Sequence, residues 1–439
     1  MKFMQRRNFL IGAGLSLAGA AAGVRPGNTI DAALAADDKQ PLAWSAVRDE
    51  FDTLARDHVH LSSFFLTAHP RPVREAIERH RRAIDENPFV YVEDHIYTMT
   101  ERIQTAAAAY LGGRPEEVAV TNSTTMGLAF VYHGLPVAAG QEILTTAHDH
   151  FVHHEAIRLA AERGGAEVRK IALYRDLAAV TQDEIVANLK KALTPKTRVV
   201  GITWVHSGTG LKLPVRRIAD AIADANRDRD RAERIFLVVD GVHGFGVEED
   251  AAAALGADFF VAGTHKWMFG PRGTGIVWAT ADNWRALRMT MPAFAAETFG
   301  AWMSETPFKA PMRAALLNSG GFRAFEYEWA LPAAFEFHQS LGRARVAARI
   351  RELNAQCRDG LAKLPQARLH TPRDAGLAAG LVCFEIDGRK SAEIVKRLLA
   401  KKIVASVAPY RTAYARLAPS LINTPAEIDA ALGALREMA

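Results

Sequence analysis

Cysteine is scarce in this 439-residue chain: only Cys357 and Cys383 occur. Two cysteines cannot staple a small secreted scaffold, and a chain of this length buries enough apolar surface to need no staple. Neither lies in a loop rich in small and basic residues, so a cysteine nucleophile has little support. Cys383 reads as a packed strand residue, and pairing of the two in an oxidising compartment stays open. Internal repeats are missing, and so is any low-complexity tract outside the N-terminus. Excess charge is small as well, with 54 basic against 49 acidic residues. Four basic residues and one acid fall in the first 35, which leaves about +2 for the remainder, so nothing points to nucleic acid. With 49% apolar and 23% charged residues, the composition is that of a soluble globular protein of one large and one small domain.

Residues 1–35 stand apart. Arg6 and Arg7 precede an apolar stretch at 9–24, and Ala33-Leu34-Ala35 has cleavage-type spacing. This reads as an export signal, and the paired arginines before Asn8-Phe9-Leu10 resemble the twin-arginine kind, with Gln5 where Ser or Thr is usual. The apolar run is shorter than the roughly 20 residues of a spanning helix, which argues against stable membrane insertion. Expected consequences are export by the twin-arginine machinery, a periplasmic location and a domain division at 36–320 and 321–439.

Beyond the signal, helices are expected at 73–85 and 98–111. Short apolar strands then alternate with helical stretches: strands at 118–120, from 143, and at 168–173, 198–203, 235–239 and 259–262, helices at 153–163, 182–192 and 215–227. That alternation predicts right-handed crossovers and a largely parallel sheet covered by helices. Past residue 320 a long helix at 325–364, strands at 381–386 and 403–407, and helices at 391–402 and from Pro425 predict a compact α+β C-terminal domain.

Four stretches fall at strand ends, where open α/β sheets bind ligands. Ser123-Thr124-Thr125 opens a helix directly after a strand, suited to a phosphate and equally to plain N-capping. His148, Asp149, His150, His153 and His154 crowd seven residues. They suggest either a transition-metal site or one histidine stacking on a planar ring, and no cysteine or His-Glu-x-x-His helix lies nearby to favour the metal. The run Ile235 to Val239 delivers Asp240 to the end of a buried strand, with His243 following, and a buried carboxylate needs a cation or a helix end. Lys266, among His265, Trp267, Met268 and Phe269 and before the glycine-rich Gly270-Pro271-Arg272-Gly273, sits in the crowded setting a covalent lysine needs to shed its proton. A phosphate cradle, a stacking histidine, a buried acid and a Schiff-base lysine are together what pyridoxal phosphate requires.

The order of these motifs resembles the class V aminotransferases, a family of fold type I pyridoxal phosphate enzymes. The segment Arg416 to Thr424 with Glu427-Ile428-Asp429 is similar to the family's closing motif. The resemblance implies a mainly parallel seven-stranded large domain with helices on both faces, a small α+β domain and a homodimer. It implies that Lys266 binds the cofactor and shuttles protons, that Asp240 pairs with the pyridine nitrogen and that His150 stacks on the ring. His243 and Ser207 would lie near the ring hydroxyl, Ser123, Thr124, Thr125 and His265 near the phosphate, and Arg416 would hold a substrate carboxylate.

Three departures stand out. Gly263 replaces a phosphate-binding serine of some relatives, His206-Ser207 replaces a Ser-Asn pair, and Asn318-Ser319-Gly320-Gly321-Phe322 stands where desulfurases carry a cysteine loop. Within the family, the stretches 69–77 and 266–275 resemble the isopenicillin N epimerase-like branch, especially exported members that tailor pyoverdine side chains. The expected activity is chemistry at the α-carbon of an amino acid or peptide-derived small molecule. Transamination comes first, then racemisation or epimerisation, then lyase chemistry; a histidine-based metal-binding protein is the non-enzymatic alternative.

Overall fold

The computed structural model describes residues 42–317, 321 and 323–438. The expected signal at 1–35 and most of the stretch 318–322 lie outside the described residues. β1 (Val59–His60) is followed by two long helices, Arg71–Glu86 and Pro88–Leu111. The second starts ten residues earlier than its sequence pattern predicts, because Pro88 occupies the first helical turn, where a missing N–H costs nothing. Gly112, at φ 75°, ends it in the left-handed region.

Seven strands then build one sheet: β2 (Val118–Thr121), β3 (Glu142–Thr146), β4 (Glu167–Ile171), β5 (Thr197–Thr203), β6 (Phe236–Asp240), β7 (Phe259–Gly263) and β8 (Gly275–Trp278). Their order is β2-β8-β7-β6-β5-β3-β4. The pairs from β7 to β4 are parallel, and β8 runs antiparallel to both β2 and β7. β8 is the strand the sequence pattern missed. Its four residues directly follow the lysine loop and return the chain along β7, so no helix separates the two.

Helices cover both faces, and side chains alternate between two cores. Val239, Phe260 and Ile276 pack on one side, and Val238, Val261 and Val277 on the other. Strands buried on both faces read as continuous apolar runs, which is why β5, β6 and β7 were legible. The fold is α/β.

The C-terminal part corrects two expectations. The long helix predicted at 325–364 is three helices, Phe325–Glu328, Leu331–Leu341 and Arg343–Ala362; Gly342, at φ 80°, breaks the last two apart. After β9 (Ala367–Leu369) and β10 (Val382–Ile386), the strand predicted at 403–407 divides into β11 (Ile403–Val404) and β12 (Ser406–Val407). β11 pairs in parallel with β1, whereas β12 joins β13 (Ala415–Leu417) in an antiparallel sheet ordered β12-β13-β10-β9. The one predicted stretch therefore serves two sheets. The β1–β11 pairing also ties residues 61–69 down between the small sheet and the lysine loop. Cys357 and Cys383 are free, buried thiols pushed up to about 12 by burial.

Candidate active site

Each large-sheet strand that leads to a singled-out residue delivers it at or just past its C-terminal end, the edge where parallel sheets leave unpaired amides and helix N-termini. After β2, Ser123 caps the helix Thr124–Gly134, its hydroxyl accepting from the Met126 N–H at 3.2 Å. Capping and anion binding coexist here, because the other first-turn amides have no intrahelical partner. Thr124 Oγ1 accepts from the Gly263 N–H at 2.8 Å, which leaves its own proton free to donate. Thr125 is exposed on the same turn. His265 closes this corner, with a buried Nδ1 that has no partner. A Cβ on Gly263 would come within 3.0 Å of His265 and 3.1 Å of Thr124 Oγ1. The missing side chain is what lets these two groups approach each other.

After β3, His150 is the N-cap of the helix Phe151–Gly164 and meets the Tyr410 ring edge-on at 6.0 Å. Asp149 beside it is fully interior. It accepts from Thr145 Oγ1, the Thr146 N–H and the Thr203 N–H at 2.9, 2.9 and 2.7 Å, and lies 3.9 Å from both His153 and His206. Burial raises its carboxyl, but His153, His206 and these donors more than offset that and hold it at about 2. His153 also contacts the Tyr132 hydroxyl at 2.6 Å, His154 contacts the Thr146 carbonyl at 2.8 Å, and His148 stacks on Tyr174 at 4.4 Å. The histidines thus turn to separate partners. Among the described residues no group of three or more His, Cys, Asp or Glu is arranged to hold a metal.

Asp240 ends β6, 2% exposed, and accepts from the Val242 N–H at 3.1 Å. Burial lifts its carboxyl to about 6, against the lowering effect of that bond and of Lys266. Lys266 follows β7. Burial brings its amine down to about 8; Asp240 opposes the shift and Arg416 adds to it. Its Nζ lies 3.4 Å from His243 Nε2. His243 is driven well below its ordinary value by burial and by the cations Lys266 and Arg416, and is therefore neutral.

Arg416 comes from β13 of the small sheet and is 4% exposed. It donates to the Ser207 and Val407 carbonyls at 2.8 and 3.0 Å and to Ser406 Oγ at 3.2 Å. Its guanidinium sits 4.5 Å from the Phe64 ring centroid. With five donors, it retains capacity for a carboxylate. Ser207 Oγ pairs with the Tyr410 hydroxyl at 2.7 Å.

The structure therefore gathers Asp240, His243, Lys266 and Arg416 into one cluster of ionisable groups, with His150 and Ser207 joined to it through Tyr410, and Ser123, Thr124, Thr125 and His265 at a neighbouring corner. Sequence reasoning missed Phe64, Asp149, Trp267 as a hydrogen-bonding group, and Tyr410. Only Asp149 left a signal, an acid inside the histidine run.

Fold and site together define an α/β enzyme of the pyridoxal phosphate type. The family profile for class-V aminotransferases matches residues 67–409, and the chain belongs to that family. It is 28% identical to isopenicillin N epimerase from Amycolatopsis lactamdurans, over 78% of this chain and 85% of the other. With the enzyme of the same name from Streptomyces clavuligerus the figures are 27%, 83% and 91%, and with a cysteine desulfurase from Cronobacter sakazakii 25%, 77% and 82%. Among solved structures, a cystine C–S lyase in complex with cysteine persulfide superposes with a TM-score of 0.78 over 88% of this chain and 99% of its own, at 23% identity. A mutant of that lyase carrying glycine covalently linked to the PLP cofactor gives 0.77.

The cofactor is pyridoxal phosphate, and the residues present fit it. The unpartnered His265 Nδ1, the free first-turn amides and the hydroxyls of Thr124 and Thr125 suit a phosphate. A buried carboxylate lifted to about 6 by burial, which the charge of Lys266 only partly offsets, suits a protonated ring nitrogen.

Proposed function

We propose that this chain moves a proton at the α-carbon of an amino-acid substrate held by its carboxylate, with aminotransfer as the outcome. The observation that carries the reading is the grouping of one amine brought down to about 8, Lys266, with a buried acid, Asp240, and a buried arginine, Arg416. Pyridoxal phosphate, when bound, supplies the electron sink that makes an α-proton removable. Asp240 would hold a cationic ring nitrogen, which would offset the burial that Lys266 and the Val242 N–H offset only in part. Arg416, fixed by two backbone carbonyls, offers its remaining donors to a carboxylate. Lys266 is the base: near neutral pH its amine can both lose and regain a proton. His243 is neutral and Tyr410 is pushed up to about 12, so the mobile proton belongs to Lys266. A single base works on one face only, so it would not invert the α-carbon, and aminotransfer would follow where Lys266 gives the proton to the cofactor's carbon on that face instead of returning it to the substrate.

Epimerisation is the second reading. Two isopenicillin N epimerases are among the relatives, and Tyr410 offers a hydroxyl beside His150 and Ser207 that could protonate the α-carbon from another side. Thiol-based desulfuration is disfavoured, since Cys357 is packed in the small-domain core and Cys383 is a fully buried β10 thiol pushed up to about 12 by burial. Incubation with L- and D-amino acids in deuterated water separates the readings. Aminotransfer converts the cofactor to its amine form and yields a keto acid, whereas epimerisation leaves the cofactor unchanged and labels both enantiomers.

The same proposal includes export by the twin-arginine machinery to the periplasm, an amino-acid or peptide-derived siderophore precursor as substrate, and a homodimer. Exposed Phe89, Val90 and Tyr97 on one helix and Phe294, Trp302 and Met303 beyond β8 support the dimer. Sedimentation of the mature chain and a reporter fused to residues 1–35 test these points.

A further inference from the structure

One hydrogen bond beside the lysine limits which protons the site can hold. Trp267 Nε1 donates to His243 Nδ1 at 3.3 Å. An indole N–H is a donor only, so Nδ1 must be the acceptor. A neutral imidazole carries one proton, which must then sit on Nε2. An imidazolium would set N–H against N–H at Trp267. Nε2 is the atom 3.4 Å from Lys266 Nζ. An Nε2–H can only donate, and an ammonium has three donors and no lone pair. The pair is satisfied when Lys266 is a free amine and in conflict when it is protonated.

We propose that Trp267 is a positioning residue: it holds His243 as the Nε2–H tautomer, and His243 in turn disfavours the ammonium form of Lys266 and aims its amine for capture of the cofactor carbonyl. This rests on Lys266 being the cofactor-binding lysine. Trp267 is itself held rigidly. It is 1% exposed, its carbonyl lies 2.9 Å from His338 Nε2, and a Cβ on Gly380 would meet its ring at 2.9 Å. The indole therefore cannot swing away to accommodate the other tautomer. The remaining groups facing the lysine act alongside. Asp240 favours the ammonium and Arg416 opposes it, while His150 and His265 are half-buried rings whose protonation burial disfavours and Tyr410 is a neutral phenol.

The test uses the apoprotein. Lys266 is acetylated with limiting acetic anhydride across pH 6–10 and its peptide quantified by mass spectrometry, which gives the midpoint of its titration without any turnover. Trp267→Phe frees Nδ1, lets the ring present a lone pair to the ammonium and should raise the midpoint by about one unit, a tenfold smaller free-amine fraction at pH 7. In a His243→Leu background the same substitution should leave the midpoint where it is. An unchanged midpoint in the single variant overturns the proposal, and so does an equal shift in the His243→Leu background, which would trace the effect to packing. Should Trp267→Phe not fold, 15N chemical shifts of the wild-type imidazole decide: Nε2–H is expected, and Nδ1–H sinks the idea. Borohydride trapping of pyridoxal phosphate on wild-type Lys266 is run in parallel. Its failure refutes the cofactor role itself, independently of the tautomer.

Discussion

Asp240→Asn should stabilise the protein while disabling it. In the apoprotein the carboxyl sits at about 6 against the ordinary 3.8, with burial as the main cause. At pH below 4 both folded and unfolded chains hold the proton, and the group is neutral in its effect. As pH rises from 4 to 6 the unfolded chain releases the proton first, so it binds fewer protons than the native state and stability falls. Above 6 the full penalty is present. A shift of about two units corresponds to about 3 kcal/mol. Asparagine is nearly isosteric and can still accept the Val242 N–H, so its neutral amide escapes that penalty. Urea denaturation of apo wild type and apo Asp240→Asn should give similar free energies at pH 4 and a gap opening to about 3 kcal/mol in favour of the variant by pH 7. Bound cofactor should narrow or reverse the gap, because only the wild-type carboxylate gains a cationic partner. Turnover should fall on the order of 100-fold or more, as when other preorganised charges are removed from active sites. A variant that is less stable at pH 7, or a gap that does not change with pH, would refute the reasoning that Asp240 is a strained acid waiting for a cation.

With its amine at about 8, Lys266 is about one-tenth free base at pH 7, against roughly one in a few thousand for an ordinary lysine, so the rate of pyridoxal phosphate uptake by apoprotein should reach half its maximum near pH 8 and level off above about pH 9. Lys266→Ala should bind the cofactor without forming a borohydride-reducible adduct, as judged by the mass of the reduced protein. Arg416→Lys loses the planar fork and strands the Ser207 and Val407 carbonyls, which should lower kcat/KM by about 2 to 3 kcal/mol, on the order of 100-fold, mostly through KM. Tyr410→Phe should leave half-reaction transamination within a few-fold of wild type; suppression of α-proton exchange into the opposite enantiomer alone would instead favour epimerisation.

What could be read from the sequence follows the physics of each element. Strands buried on both faces announce themselves as apolar runs, so the crossover sheet and the carboxylate at the end of β6 were legible. β8 was not, because four residues after a glycine-rich loop carry no period. The helix predicted at 325–364 hid its breaks, since helix-forming residues surround both Ala330 and Gly342. Among site groups, those defined by position in a motif, such as Lys266, Asp240 and Arg416, could be named in advance. Those defined by contact could not. Phe64 reaches Arg416 across more than 350 residues, and Tyr410 reaches Ser207 across 203; neither has a local signature.

These long-range contacts bear on how the site works as a unit. Arg416 belongs to the small sheet, yet its shortest bond is to the carbonyl of Ser207, in the turn that follows β5 of the large one, and Tyr410 spans the same gap through its hydroxyl and by packing on Gly208. A carboxylate anchor carried by one sheet and a lysine carried by the other must keep their separation to well within an ångström for proton transfer. The small sheet therefore cannot slide freely: moving it would break the Ser207–Arg416 and Ser207–Tyr410 contacts together and leave the Ser207 carbonyl without its donor. Gly208 makes this possible, since a Cβ there would stand 3.1 Å from the Tyr410 ring. Gly208→Val should consequently separate the two halves of the site, raising KM for the carboxylate-bearing substrate while leaving cofactor uptake by Lys266 intact; equal loss of both would mean that the two sheets are registered elsewhere.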